Sequence, residues 1–142
     1  IWVLFSFISY QLQGTIYNYY YCIQRHALAG DTTSRIGEEE CPVPYAWDHP
    51  VVLAVLHRCY CICYGWQDKI VMWLDSDIYP VKVLPNMFLT AVSMMGLGMQ
   101  LLCLSVFLWL QRPDLAIWFF LVPMNIWGLF LMTYRRFVLK RL

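Results

Sequence analysis

The fold is decided by two runs, MFLTAVSMMGLGMQLLCLSVFLWL (residues 87–110) and LAIWFFLVPMNIWGLFLMTY (residues 115–134), because neither carries a formal charge. An α-helix needs about 20 predominantly apolar residues to cross a bilayer, and both runs reach that length. The link between them, residues 111–114, has room only for a tight turn. The sequence therefore predicts an antiparallel hairpin of transmembrane helices over 86–111 and 115–134.

The composition of the chain agrees with an integral membrane protein. Of its 142 residues, 61% are hydrophobic and 18% are aromatic, whereas an ordinary globular domain is about 45–50% apolar. Charged residues make up only 13%, and the formal net charge is +1. Disordered chains need low hydrophobicity and nucleic-acid-binding chains need a basic excess. Both classes are excluded, so no nucleic-acid partner is expected.

The first 24 residues are predicted to form a membrane helix truncated at its start, or a helix lying flat at the interface. The run begins at Ile1 and has neither the charged leader nor the cleavage site of a signal peptide. Tyrosine has an apolar ring and a hydroxyl that stays hydrated, so tyrosines collect at headgroup level. Four of them are expected in such an interfacial belt: Tyr17, Tyr19, Tyr20 and Tyr21.

Residues 25–85 are predicted to form a small irregular or β lobe outside the membrane, in a chain that is otherwise mainly α. They carry five Lys/Arg and eight Asp/Glu, a net charge of −3 with neutral histidines. Val51–Tyr64 and Ile70–Leu74 are rich in β-branched and aromatic residues, which favours two strands. A helix over Pro50–Cys63 is the alternative, since proline suits the first helical turn and short apolar runs are ambiguous by periodicity.

Residues 135–142 are predicted to form a basic juxtamembrane tail. Positive charge near helix ends stays on the cytoplasmic or matrix side, which would place both the tail and the lobe there. Cations near the surface of an anionic bilayer contribute about 1 kcal/mol each. Four side chains are therefore expected to contact lipid headgroups: Arg135, Arg136, Lys140 and Arg141.

Three cysteines and one histidine are the weak candidates for a metal site: Cys59, Cys61, Cys63 and His57. On a strand the three thiols would face the same way, and zinc accepts both ligand types. However, structural zinc sites use two separated ligand pairs, and no second pair follows. Packing or disulfide formation is the preferred interpretation, so no metal is predicted. A reducing side would keep the thiols free, and an oxidising side would pair them.

Polar and small residues within the hairpin are predicted to organise helix packing. Gln100 and Asn125 lie near the middle of their helices and could hydrogen-bond across the hairpin. Pro123 is expected to kink its helix, while Gly96 and Gly98 offer a smooth patch to a neighbouring helix. A polar path for an ion or proton is the alternative function for these amides.

The sequence contains no catalytic motif, and neither apolar run contains a carboxylate or a histidine. We therefore expect a non-catalytic accessory subunit without a cofactor, bound to other membrane subunits and to lipids. Its general build favours an energy-transducing, respiratory-type complex of the mitochondrial inner membrane, by analogy alone. The alternatives are an auxiliary subunit of an ion channel or transporter with a disulfide-bonded lobe, and a small membrane enzyme that uses the Cys/His cluster.

Overall fold

The computed structural model of the protein describes residues 1–29, 44–45, 47–75 and 83–138. Helix accounts for 84% of these residues and none of them is in a strand, which confirms the mainly α class. The elements in chain order are α1 (Trp2–Ala29), α2 (Pro50–Tyr60), a π-helical turn (Cys61–Gly65), α3 (Trp66–Leu74), α4 (Asn86–Ser93), α5 (Leu97–Trp109), α6 (Pro113–Leu121) and α7 (Pro123–Phe137).

The prediction of two strands in residues 50–74 is wrong, because this segment follows one continuous helical path. α2 begins at Pro50, whose fixed φ suits a first helical turn, after His49 in an extended conformation. Cys61 and Gly65, at the two ends of the π turn, both have right-handed helical dihedral angles, so the path continues into α3. Strand propensity reflects packing context more than backbone preference, and here the helical alternative holds.

α1 is the central helix of the protein and contacts α3, α4, α6 and α7. Its buried residues recur at helical spacing, which places most of them on one face: Ser6, Gln13, Ile16, Tyr19, Tyr20, Cys22, Ile23 and Gln24. The tyrosine belt predicted at headgroup level is therefore wrong for Tyr19 and Tyr20. Tyr20 packs edge-to-face on Phe88 of α4, with ring centroids 5.1 Å apart.

The helices α6 and α7 run parallel to α1. Gln13 of α1 bonds to Phe120 of α6, and Ile16, one turn further on, approaches Gly128 of α7. Gly128 makes this approach possible, since a Cβ built there would lie 3.4 Å from Ile16 Cδ1 and 2.9 Å from Met95 Cε. A side chain of α1 and one from the break between α4 and α5 thus meet the backbone of α7 at a single glycine.

The pair α4 and α5 runs antiparallel to α1 and is bent by 41°, where a single helix over 86–111 was predicted. The bend occurs at Gly96, whose backbone is extended. A Cβ at Gly96 would lie 3.2 Å from the ring of Tyr17, so glycine permits the close contact with α1. Beyond the bend, Gln100 bonds to the carbonyl of Tyr10, which continues the antiparallel register.

The helix α3 lies along α1, rather than in a lobe separate from the helices. Gln67 pairs with Thr15, with 3.0 Å between Oε1 and Oγ1, and Asp75, just after α3, accepts a hydrogen bond from Tyr20. Both elements therefore run in the same direction. The part of the predicted lobe that forms α3 therefore belongs to the helical core.

In the part of the chain that the structure describes, one helical unit meets the requirements of a membrane span by length and composition, and a second meets them only conditionally. Within the described residues, Pro113–Phe137 is one helix of 25 residues with a mean hydropathy of 2.0 in its most apolar window. The bent pair α4 and α5 meets the same test if it is counted as one span. α1 is not among the candidate spans. The test thus supports one span of the predicted hairpin, and the membrane hairpin itself stays a prediction.

We expect Gly128→Leu to destabilise the protein, because the added side chain would enter the contact with Met95 and Ile16. Overpacking of a filled core costs about 1–3 kcal/mol. The matched control is Gly98→Leu, since a Cβ at Gly98 meets nothing within 4 Å. Thermal unfolding in detergent, followed by circular dichroism, should show a lower Tm for Gly128→Leu alone. Equal Tm values for the two variants would contradict the packing described for α7.

Candidate functional site

A chain of three amide side chains crosses the centre of the helix bundle, and Gln13 is its middle member. The Nε2 atom of Gln13 donates to the carbonyl of Phe120 at 2.7 Å and to Oδ1 of Asn125 at 3.1 Å. Its Oε1 atom accepts from Nε2 of Gln100 at 3.4 Å. Gln13 is fully buried and Gln100 is 1% exposed. The two amides singled out in the sequence are thus linked through a third one on α1.

The outer ends of this amide chain also have partners. Nε2 of Gln100 donates to the carbonyl of Tyr10 at 3.1 Å. Nδ2 of Asn125 donates to the hydroxyl of Ser9 at 2.9 Å and to the carbonyl of Leu121 at 2.8 Å. Every group in this chain of amides is neutral. Its hydrogen bonds therefore hold α1, α5 and the α6–α7 unit in register at one level of the bundle. Sequence reasoning missed Gln13, whose helical spacing from Ile16 and Tyr20 is the signal that places it on the buried face of α1.

Pro123, Gly96 and Gly98, which were predicted to organise helix packing, lie in three different structural environments. Pro123 begins α7, and the helical path is interrupted for the single residue Val122. Gly96 is buried against Tyr17. Gly98 is exposed, with open space around its Cα. Of the two predicted packing glycines, Gly96 therefore serves contact between helices and Gly98 does not.

A buried ion pair joins the ends of α3 and α7. Asp75 is 1% exposed and pairs through Oδ1 with Nη1 of Arg135. Its other carboxylate oxygen accepts a hydrogen bond from the Tyr20 hydroxyl at 2.6 Å, and its carbonyl accepts one from Tyr19 at 2.8 Å. Helices α1, α3 and α7 thus converge on Asp75, a residue that sequence reasoning missed.

The prediction that Arg135 contacts lipid headgroups is therefore wrong. Its guanidinium is turned into the bundle, where the carboxylate of Asp75 offsets the cost of burying the charge. Arg136, the next residue, is exposed, because successive helical residues point about 100° apart. Lys140 and Arg141 lie outside the described residues.

The three thiols of the Cys/His cluster do not share a face, because the segment is helical. Cys59 and Cys63 are exposed, and Cys61 is half-buried with its sulfur 3.7 Å from Nε2 of His57. No group of three or more potential metal ligands occurs within the described ranges. Cys103 is also a free thiol, as are the three of this cluster. Cys41 lies outside the described residues.

Asp68 of α3 is a buried carboxyl beside the π turn and outside the candidate spans. The hydroxyl of Tyr60 donates to its Oδ2 atom at 3.1 Å. Burial raises the pKa of Asp68 above its ordinary value of 3.8, and the hydrogen bond from Tyr60 opposes that rise. Folding therefore favours the protonated form of this carboxyl.

Apolar side chains are exposed on two elements that are not candidate spans, α2 and the start of α1. α2 contains no buried residue at all. We call this set the outer apolar surface, and it comprises Trp2, Leu4, Phe5, Phe7, Val51, Val52, Val55 and Leu56. Each of these side chains is more than half exposed. This set of side chains is the candidate functional site, because apolar area that a protein leaves exposed on such a scale is typical of contact with a partner or a membrane.

Comparisons of the chain with protein-family models, with curated proteins and with solved structures find no match.

Removal of the positive charge from the buried ion pair should strongly destabilise the protein. Arg135→Gln leaves the Asp75 carboxylate buried without its counterion, a loss that costs about 3–5 kcal/mol in proteins. The adjacent variant Arg136→Gln removes the same charge from an exposed position. Thermal unfolding in a zwitterionic detergent without added lipid should show a large loss of Tm for Arg135→Gln only. Similar Tm values for both variants would exclude the buried pair.

The raised pKa of Asp68 predicts a specific pH dependence. A carboxyl that holds its proton more tightly in the folded chain contributes stability that falls as the pH rises from 3.8 through the folded pKa. Asp68→Asn cannot ionise and still accepts the hydrogen bond from Tyr60. As the pH rises through this window, the Tm of Asp68→Asn should therefore increase relative to the Tm of the parent protein. Above the folded pKa of Asp68 the difference between the two Tm values should stay constant. A pH-independent difference would contradict the assignment.

Proposed function

We propose that the protein is a non-catalytic accessory subunit of a larger membrane complex. It would be anchored by an antiparallel hairpin made of the α4–α5 unit and the α6–α7 unit. The support for the anchor is their apolar length and the short turn between them, where Arg112 pairs with Asp114 at 3.0 Å. The support for subunit contact is the outer apolar surface, which lies on elements other than these two.

The helix α2 carries the argument for a protein partner. Two of its valines, Val51 and Val55, are 63% and 54% exposed. Burial of one such side chain yields about 1.5–3 kcal/mol, so an uncovered α2 in water would forfeit several times that amount. Since α2 is not a candidate span, a partner subunit is the cover that we propose. Buried, apolar interfaces of this kind are typical of obligate complexes.

The finer placement that we propose is an energy-transducing complex of the mitochondrial inner membrane. It rests on general build alone, because such complexes contain many small helical subunits without catalytic groups. The alternative of a channel or transporter auxiliary subunit required disulfides in the lobe. Within the described part of the lobe, Cys59, Cys61 and Cys63 are free thiols, so no observation there favours that alternative.

The proposal is tested by purification of the protein in mild detergent from its native membrane, with mass spectrometry of stoichiometric partners. We expect co-purification of other membrane subunits, and their identity would decide the organelle. The variant Val51→Ser/Val55→Ser should lose these partners without loss of helix content, since neither valine is buried. The control Leu102→Ser/Val106→Ser changes two exposed residues of α5 at the same spacing and should retain them.

Either of two outcomes would overturn the proposal. One is that the unmodified protein migrates alone as a monodisperse monomer. The other is that the variants in α2 and α5 retain the same partners in equal amount, which would show that α2 is not the contact surface.

A further inference from the structure

A groove of 130 Å³ lies between the end of α3 and the outer side of α7. The described residues that line it are Leu74, Leu129, Met132, Thr133, Arg136 and Phe137. Most of these side chains are apolar. The hydroxyl of Thr133 donates to the carbonyl of Leu129 at 2.7 Å, so it is already satisfied. The groove therefore offers apolar walls and one charged group, the guanidinium of Arg136.

Arg136 differs from its neighbour in having its charge available. Arg135 is paired with Asp75 inside the bundle. Arg136 is exposed, and it forms no ion pair or side-chain hydrogen bond with any other residue in the described ranges. A guanidinium presents paired N–H donors that match the geometry of a phosphate group. Of these two arginines, Arg136 is thus the one with an unpaired charge in the described ranges, and it is also the one that lines the groove.

The position of the groove suits a lipid. Arg136 lies at the C-terminal end of the candidate span Pro113–Phe137, which is where the headgroup region of a bilayer would be. Apolar side chains of the groove extend from there toward the middle of the span, as far as Leu129. Since a cavity of about 150 Å³ accommodates a benzene ring, this groove has room for a short segment of an acyl chain, and the remainder would lie outside among bulk lipid.

We propose that this groove is a binding site for one anionic phospholipid. Its phosphate contacts the guanidinium of Arg136, and the first carbons of one acyl chain lie against Leu74, Leu129 and Phe137. The bound lipid would bridge the end of α3 and α7, beside the buried ion pair. The inference uses the membrane placement of the proposed function but does not depend on any partner subunit.

The test is native mass spectrometry of the purified protein titrated with phosphatidylglycerol or with phosphatidylcholine. Near a membrane surface one cation changes binding by about fivefold. We therefore expect Arg136→Gln to lower the apparent affinity for phosphatidylglycerol about fivefold and to leave that for phosphatidylcholine unchanged. The matched control is Arg112→Gln, which removes an exposed cation that is paired with Asp114 at the opposite end of the span.

Two further binding measurements distinguish a bound lipid from other occupants of the groove. Leu129→Trp fills the groove and keeps the charge, so it should also weaken phosphatidylglycerol binding. Inorganic phosphate should not displace the lipid at equal concentration. Equal effects of Arg136→Gln and Arg112→Gln, no effect of Leu129→Trp, or displacement by inorganic phosphate would overturn the proposal. Partner co-purification is measured separately, so failure of this site is distinguishable from failure of the accessory-subunit function.

Discussion

The buried amide of Gln13 is the constraint on which the rest of the structure depends. A buried amide without partners costs several kcal/mol, so its donors and its acceptor must all be met inside the bundle. Phe120, Asn125 and Gln100 meet them. Because these groups lie 87 to 112 residues away along the chain, their bonds set the depth and rotation of α1 against two other helical units. A rotation of α1 by one residue would break the hydrogen bonds that Gln13 makes to Phe120, Asn125 and Gln100.

The second fixed point is the carboxylate of Asp75, which α1, α3 and α7 reach together. The hydroxyl of Tyr20 and the guanidinium of Arg135 contact the carboxylate, and the hydroxyl of Tyr19 donates to the backbone carbonyl of the same residue. The amide chain and the residues of this ion pair are bonded to α1 at two different levels along its axis. Together they prevent α1 from sliding and from rotating. Apolar contacts at Gly96 and Gly128 fill the space between the two levels. The polar interactions specify the arrangement, and the apolar side chains supply most of the stabilising area.

Some of this could be predicted from sequence and some could not, for identifiable physical reasons. The two uncharged runs predict helices because length and hydropathy are local properties, and Gln100 and Asn125 stand out in them. The role of Gln13 depends on partners distant in sequence, and so does that of Asp75. Residues 51–64 are rich in β-branched side chains, which a helix also accommodates. The three cysteines were predicted to share a face only because this segment was predicted to be a strand. Arg135 and Arg136 are alike in sequence, yet helical geometry alone sends one inward and the other outward.

Among the described residues, the buried amides and the buried ion pair have partners within the protein, while the side chains of the outer apolar surface are left exposed. This difference supports the proposed accessory-subunit function. The most direct test of this account is a double-mutant cycle between Gln13→Leu and Asn125→Leu, measured by reversible unfolding in detergent. We expect the two substitutions to be non-additive by about 0.6–1.7 kcal/mol, the range found for hydrogen bonds between membrane helices. Strictly additive effects would contradict the buried amide chain and the central position of α1.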